Sequence, residues 1–257
     1  AIDKNPDAKA IFINNPTYYG ICSDLKAITD LAHQHHMKVI VDEAHGTHFY
    51  FKKGLPLSAM AAGADMAAVS MHKTGGSLTQ SSFLLIKDPR LMGETRQILN
   101  LTHTTSGSYL LTGSLDVARQ YLATHGEKLF SEVVKMTDYA REEINAIEGY
   151  WAFGKDIIDD QYIHDFDVTK LSIHTADLGL SGSEVYDILR DRYNIQIEFG
   201  DLGNILAIIS VGDNWPNVER LISALEDIKD VYENPSVKIV GQEYIAPDVC
   251  LSPQEAF

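Results

Sequence analysis

The sequence predicts an α/β protein: a large domain around a mostly parallel sheet with crossover helices, followed by a smaller α+β domain. Apolar runs that end in polar residues alternate with helical spacing over the first 90 residues, and helical spacing alone fills 110–147. From 149 onward, short strand and helix patterns intermix. A chain of 257 residues, 45% of them apolar, can bury a core of this size.

In order, "AIFINNP" (10–16) is an apolar strand closed by a turn, and Ser23 is placed to cap a helix whose face is Leu25, Ile28, Leu31 and Ala32. "KVIVDEAHG" (38–46) reads as a strand buried on both faces, with polar residues only where it ends. "ADMAAVSMHK" (64–73) repeats that arrangement, and "SSFLLIK" (81–87) adds a fourth strand. In such a sheet the loops at the carboxyl ends of the strands gather ligands, and Asp42 and Lys73 both lie at such ends. Leu111, Leu115, Ala118 and Leu122 share one helical face, and Leu129, Val133, Met136, Ala140, Ile144 and Ile147 share another after a break near Gly126. Then come a strand in "VTKLSIHT", a helix over 184–192, strands in "IQIEF" and "ILAIISVG", and a helix opening at Pro216 with Val218, Leu221, Ile222 and Leu225 on one face. The division expected is 1–148 for the large domain and linking helices, 149–233 for the small domain, and 234–257 for a tail or the start of a truncated domain. A first residue Ala1 and a last stretch "LSPQEAF" that closes no element suggest a piece of something longer.

Composition narrows the function. Against 36 acidic side chains stand 21 basic ones, and the formal charge of −15 argues against nucleic acid and anionic membrane surfaces as partners. Cys22 and Cys250 are two distant thiols, and no signal peptide or apolar run of about 18 residues is present, which fits a reducing, cytoplasmic setting. "DEAH" (42–45) spells a helicase box, but the G-x-x-x-x-G-K-[ST] phosphate cradle that an NTPase needs is missing. His33, His35 and His36 do not share a helix face, and His45 with His48 lacks a clear third ligand, so metal is not expected.

Lys73 is the residue that asks for chemistry. An ammonium at the end of a buried strand must be paired or lose its proton. The plain reading is a lysine that snorkels to the surface; the sharper one is a Schiff-base lysine, for which a dry site favours the free amine. Asp42 lies about thirty positions earlier, the span of one strand, crossover and return. It reads equally as a turn aspartate or as the group that holds a proton on a cofactor's pyridine nitrogen. Ser70, His72 and Thr74 could bond a phosphate, with "TGG" giving backbone freedom. Together they describe a pyridoxal phosphate (PLP) site.

The segments "NPTYYG", "VDEAHGTHFYF", "LPLSAM", "GADMAAVSMHKTGGSLTQSS", "TTSGSYLLTGSLDVAR" and "IQIEFGD" resemble the ornithine, lysine and arginine decarboxylase family, most of all the shorter arginine decarboxylases of Gram-positive bacteria. The resemblance covers nearly the whole chain. It implies an aspartate-aminotransferase-like PLP fold type I, with a seven-stranded, mostly parallel sheet in the large domain, only part of it here, and a small C-terminal α+β domain. It implies that Lys73 bonds covalently to PLP, that Asp42 faces the pyridine nitrogen, that Ala44 packs on the ring and that His45 lies near the phenolic oxygen. Ser70 and His72 would hold the phosphate, His72 would also touch substrate, and Thr104 in "TTS" would reach the phosphate of a neighbouring subunit, making a homodimer or larger homo-oligomer with shared sites. Glu198 would meet the distal cation of a basic amino acid. The implied reaction is decarboxylation, of arginine to agmatine first, or of lysine or ornithine, feeding polyamine synthesis, with Lys73 or His72 returning the proton. An aminotransferase and a non-catalytic paralogue are the rivals. Family members carry a phosphate-gripping segment and a ring-stacking histidine before the point where this chain begins, and they continue past its end, so the chain by itself is expected to be incomplete.

Overall fold

The computed structural model describes residues 2–159 and 161–233 and, beyond them, 248, 250, 251 and 253–256. The expected tail over 234–257 therefore lies largely outside the described residues, apart from a short helix at Pro253–Ala256.

A four-stranded sheet contains β1 (Ala10–Asn14), β3 (Lys38–Asp42), β4 (Met66–Val69) and β5 (Phe83–Ile86) in that order, the first three parallel and β5 antiparallel to β4. Between β1 and β3 run the two-residue β2 (Ile21–Cys22) and helix α1 (Leu25–Gln34); α2 (Ala59–Ala62) precedes β4 and the one-turn α3 (Met71–Thr74) follows it. Side chains alternate across a strand, so Ile11, Val39, Val41, Ala67 and Val69 share one face, where they pack with Leu25 and Ala32 of α1 and Ala59 and Ala62 of α2. The other face is open: Phe12 is 69% exposed and Leu84 38%. The double-sided burial expected of 38–42 is thus one-sided in this chain, with Val39 and Val41 buried and Ile40 half-buried.

After α4 (Met92–Thr102) comes α5 (Tyr109–Ala146), then β6 (Trp151–Phe153), β7 (Asp165–Phe166), which pairs with β2, and β8 (Lys170–His174). Helix α6 (Gly182–Tyr193), β9 (Phe199–Gly200), β10 (Asn204–Ile208) and α7 (Trp215–Tyr232) complete a second, antiparallel sheet in the order β6-β8-β10-β9, with α5, α6 and α7 packed around it. One apolar core runs from Met71 of α3 through Leu122, Val133 and Ile144 of α5 to Leu171, Ile205 and Leu225. Arg141 of α5 ties β6 to the start of β8: its guanidinium donates to the carbonyls of Phe153, Val168 and Lys170 at 3.0–3.1 Å. Among the described residues no helix is long and apolar enough to cross a membrane.

Several local expectations change. The cap of α1 is Asp24, whose carboxylate accepts from the Ala27 N–H at 2.9 Å, while the Ser23 backbone turns to Asn15; Leu31 lies on the exposed side of that helix. "IQIEF" is a strand only from Phe199, and 195–198 is irregular, with the Glu198 N–H bonded to the Leu206 carbonyl. Strand β6 went unseen because its three residues are too few to show alternation. The break near Gly126 does not exist: α5 is continuous for 38 residues. Gly126 is buried there because Phe51 lies against it, and a Cβ would come within 2.7 Å of Phe51 Cβ. Helix propensity alone favours Gly126→Ala by about 1 kcal/mol, but overpacking costs about 1–3 kcal/mol. The expected result is net destabilisation in urea unfolding; a stabilised variant would show that the contact with Phe51 yields freely.

Candidate active site

Because β1, β3 and β4 run parallel, their carboxyl ends lie at one edge of the sheet, and the loops leaving them carry Pro16–Gly20, Asp42–Tyr50 and Ser70–Thr74. The second sheet meets this edge through the loop entering β8 and through Glu198. Five regions distant in sequence therefore converge.

Lys73 sits on α3 and is exposed, so the dry surroundings anticipated for it are not met in this chain. Its Nζ lies 3.1 Å from His45 Nε2. His45 is itself buried, edge-on to the Tyr18 ring at 4.5 Å, and its Nδ1 lies 3.5 Å from the Nζ of Lys170, a fully buried lysine. Burial, then the charges of Lys170 and Lys73, push the His45 pKa down to about 3, so the ring is neutral at ordinary pH. Beneath it, His48 Nε2 bonds Asp167 Oδ2 at 2.9 Å, and His48 Nδ1 lies 3.2 Å from Thr74 Oγ1. Thr169 donates its hydroxyl to Asp167 Oδ1 at 2.8 Å. Burial works against ionising Asp167, but His48, Lys170 and Thr169 together hold its carboxyl below the usual range.

The remaining residues fall as follows. Asp42 is half-buried at the end of β3; its Oδ1 accepts from the Ala44 N–H at 3.1 Å, and its Oδ2 takes no bond from the described residues. Ser70 opens α3 without using its hydroxyl as a cap. His72 Nδ1 donates to the Ser81 carbonyl at 2.9 Å, which leaves Nε2 without a hydrogen-bond partner among the described residues. Thr74, taken as a possible phosphate contact, is instead buried against His48. Glu198 is exposed and accepts from the Tyr18 hydroxyl; burial first, then that carboxylate, pushes the Tyr18 pKa up to about 12. Thr104 lies on an exposed turn between α4 and α5, bonded to the Ser106 N–H and to nothing in the Lys73 cluster. His33 pairs with Asp65, and His45 and His48 point to different partners; among the described residues no group of three side chains could hold a metal.

Sequence reasoning missed Tyr18, Asp167 and Lys170. The signal for Lys170 was visible, since a lysine stood inside an otherwise apolar strand pattern.

A mostly parallel sheet with a lysine at its carboxyl edge, and a second α+β sheet closing on that edge, is the arrangement of the aspartate-aminotransferase-like fold, PLP fold type I. The chain superposes on a lysine decarboxylase from Francisella novicida with a TM-score of 0.73 at 21% identity, covering 87% of this chain and 36% of that one. It superposes on an alanine–glyoxylate aminotransferase from Nostoc sp. with a TM-score of 0.69 at 17% identity, covering 88% and 63%. The family model "Orn/Lys/Arg decarboxylase, major domain" matches residues 1–216, and the chain belongs to that family. Over 261 aligned residues it is 44% identical to the arginine decarboxylase of Bacillus subtilis and 43% identical to that of Halalkalibacterium halodurans, covering all of this chain and 53% of each. The chain thus spans about half the length of the curated relatives it matches.

Next to Asp42, Glu43 is fully buried, accepting from the Tyr50 hydroxyl at 2.5 Å and the Ala59 N–H at 2.7 Å. Burial pushes its pKa up to about 7, against the pull of those two bonds. Its folded pKa exceeds its ordinary value of 4.5, so the folded state binds this proton more tightly. The associated stability is present in acid and is lost as pH rises through about 7. At roughly 1.4 kcal/mol per unit, the effect is on the order of 3 kcal/mol. Glu43→Gln should therefore gain stability relative to the unaltered protein between pH 5 and 8 in urea unfolding. A difference that stays flat with pH would refute the buried ionisation.

Proposed function

We propose that the chain carries the reactive lysine of a PLP-dependent decarboxylase acting on a basic amino acid, arginine first, with agmatine as product. The observation that supports it most is the exposed Lys73 amine held 3.1 Å from a buried, neutral imidazole at the sheet edge that also bears Asp42. The residues present fit PLP: Asp42 keeps one carboxylate oxygen uncommitted, the Ser70 hydroxyl is not spent on a cap, and His72 Nε2 is uncommitted.

In this reading Lys73 bonds the cofactor, Asp42 holds a proton at the pyridine nitrogen, and Ser70 and His72 hold the phosphate. Ala44 and His45 line the ring, and Thr104 serves the phosphate of a second subunit. PLP, when bound, supplies an electron sink for the carbanion left by carbon dioxide. Lys73 or His72 then delivers a proton to that carbon. Glu198 offers a carboxylate to the guanidinium, the stronger for being charge-assisted; Tyr18, bonded to it, fixes its position.

Arginine is favoured over lysine and ornithine because the curated relatives above are named arginine decarboxylases. The agmatine would feed polyamine synthesis. A homodimer is supported by the apolar surface flanking Thr104, where Leu101, Tyr109 and Leu110 are 86%, 93% and 78% exposed. A cytoplasmic setting is in keeping with Cys22 and Cys250 both being free thiols. We divide the chain into a large domain over 1–148 and a small one over 149–233, one around each sheet.

The test incubates the full chain with PLP and arginine, lysine or ornithine. Agmatine with carbon dioxide is the expected product, and a keto acid would mean an aminotransferase. Lys73→Ala should remove both the cofactor absorbance band and turnover, and survival of either sinks the assignment. Glu198→Gln should raise KM for arginine about tenfold or more, from the loss of a charged hydrogen bond, with a smaller change in kcat; an unchanged KM would remove Glu198 from the substrate site.

A further inference from the structure

Tyr18 and Tyr19 follow one another in the loop after β1, and each reaches an acid of the second sheet. The Tyr18 hydroxyl donates to Glu198 Oε1, and the Tyr19 hydroxyl donates to Asp201 Oδ2. Phe199, between those acids in sequence, packs against both phenol rings, with centroids 5.2 and 5.4 Å away. The two acids differ in what they have left. Asp201 Oδ1 accepts from the N–H groups of Gly203 and Asn204 at 2.8 Å, so both of its oxygens are engaged. Glu198 is exposed, and its Oε2 takes no bond from the described residues. The Tyr19 bond fastens the junction, whereas the Tyr18 bond orients a carboxylate that still has room for a partner.

Tyr18 also stands in a particular place. Its ring lies edge-on to His45 at 4.5 Å, so the phenol bridges the cofactor end of the site and the carboxylate offered to the distal cation. His45 on one side and Phe199 on another restrict its swing. Burial, then the hydrogen bond and charge of Glu198, push the Tyr18 pKa up to about 12, so the hydroxyl remains a donor at ordinary pH. A carboxylate has about four lone-pair sites; Tyr18 uses one of them, and both oxygens keep capacity for a further donor. A guanidinium is a planar fork that pairs with both oxygens only when the two planes are aligned. An ammonium is a compact point charge with rotatable donors and is satisfied over many angles. Fixing the plane of Glu198 therefore matters more to a guanidinium than to an ammonium.

We propose that Tyr18 is a specificity-determining residue: by holding Glu198 Oε1 it sets the plane of the carboxylate, so that the site takes the guanidinium of arginine in preference to the ammonium of lysine or ornithine. The proposal rests on the reading of Glu198 as the group that meets the distal cation.

The test measures kcat/KM for arginine and for lysine on the PLP-loaded full chain and on three variants. These are Tyr18→Phe, which keeps the ring and removes only the hydroxyl, Glu198→Gln, and the two combined. Tyr18→Phe should lower the arginine-to-lysine ratio about tenfold, the worth of one charge-assisted hydrogen bond, through KM for arginine more than through kcat. In the Glu198→Gln background the same change should leave the ratio where it is, because the hydroxyl acts through the carboxylate. If Glu198→Gln lowers the ratio and Tyr18→Phe does not, the proposal falls and the reading of Glu198 stands. A tenfold effect of Tyr18→Phe that persists in the Glu198→Gln background also overturns it, since Tyr18 would then act without the carboxylate. If neither change moves the ratio, the reading of Glu198 has failed and the proposal with it. Should the chain turn over neither amino acid, calorimetric titration with agmatine and cadaverine, which end in the same two cations, applies these criteria to the same variants. An unaltered chain without preference for agmatine then overturns the proposal.

Discussion

Asp167 holds a negative charge where water does not reach, and much of the architecture around the site follows from compensating it. A carboxylate moved from water to a protein interior costs several kcal/mol unless it is paired and hydrogen-bonded on every side. Here His48 comes from the loop after β3, Thr169 from the same turn as Asp167, and the charge of Lys170 from the start of β8. The backbone contributes as well, since the Asp167 N–H bonds the Gly20 carbonyl at 2.8 Å. Three loops from two sheets are thereby fixed to one buried point. His45 lies on the same stretch of chain as His48, so the anchoring of His48 also sets where His45 stands relative to both lysines.

The first sheet was legible because its physics is repetitive. Apolar runs ending in polar residues name the strands, and parallel pairing then brings Asp42 and Ser70–Lys73 to one edge. Apolar spacing also named the buried face of α5, yet Gly126 misled, because a glycine in a helix reads as an interruption unless its neighbour in space is known. Phe51 is 75 positions away in sequence, and no local pattern contains it. The same holds for Lys170 and Asp167: their roles come from a junction between the two sheets, and a lysine within an apolar strand signals only that some partner exists. The irregular course of 195–198 was hidden for a related reason, since "IQIEF" has strand composition while the ladder to β10 begins only at Phe199.

Charge shapes the site differently on its two sides. The interior side is closed and its polar atoms are satisfied: among the described residues the one buried side-chain polar atom lacking a partner, Thr29 Oγ1, lies away from it on α1. The outer side carries uncommitted groups on Asp42, Ser70 and His72, together with exposed Glu198 and Lys73. A net charge of −15 over the whole chain favours the approach of a cation from solution. The two lysines that meet across the neutral His45 ring are the local exception in that acidic surface.

Gly20 records this arrangement in the sequence. The last letter of "NPTYYG" takes a φ of +95°, which disfavours a side chain, and it also lies under the stem of Lys170. A residue 150 positions downstream therefore helps dictate what the loop after β1 can carry. In a homologue that shortened the side chain at 170, the contact with Cγ at 2.8 Å would go, while Cβ at 3.1 Å, the Asp167 carbonyl at 3.2 Å and the φ of +95° would all remain. Gly20 is thus held mainly by the main chain around it, and only one part of the constraint travels with the side chain at 170.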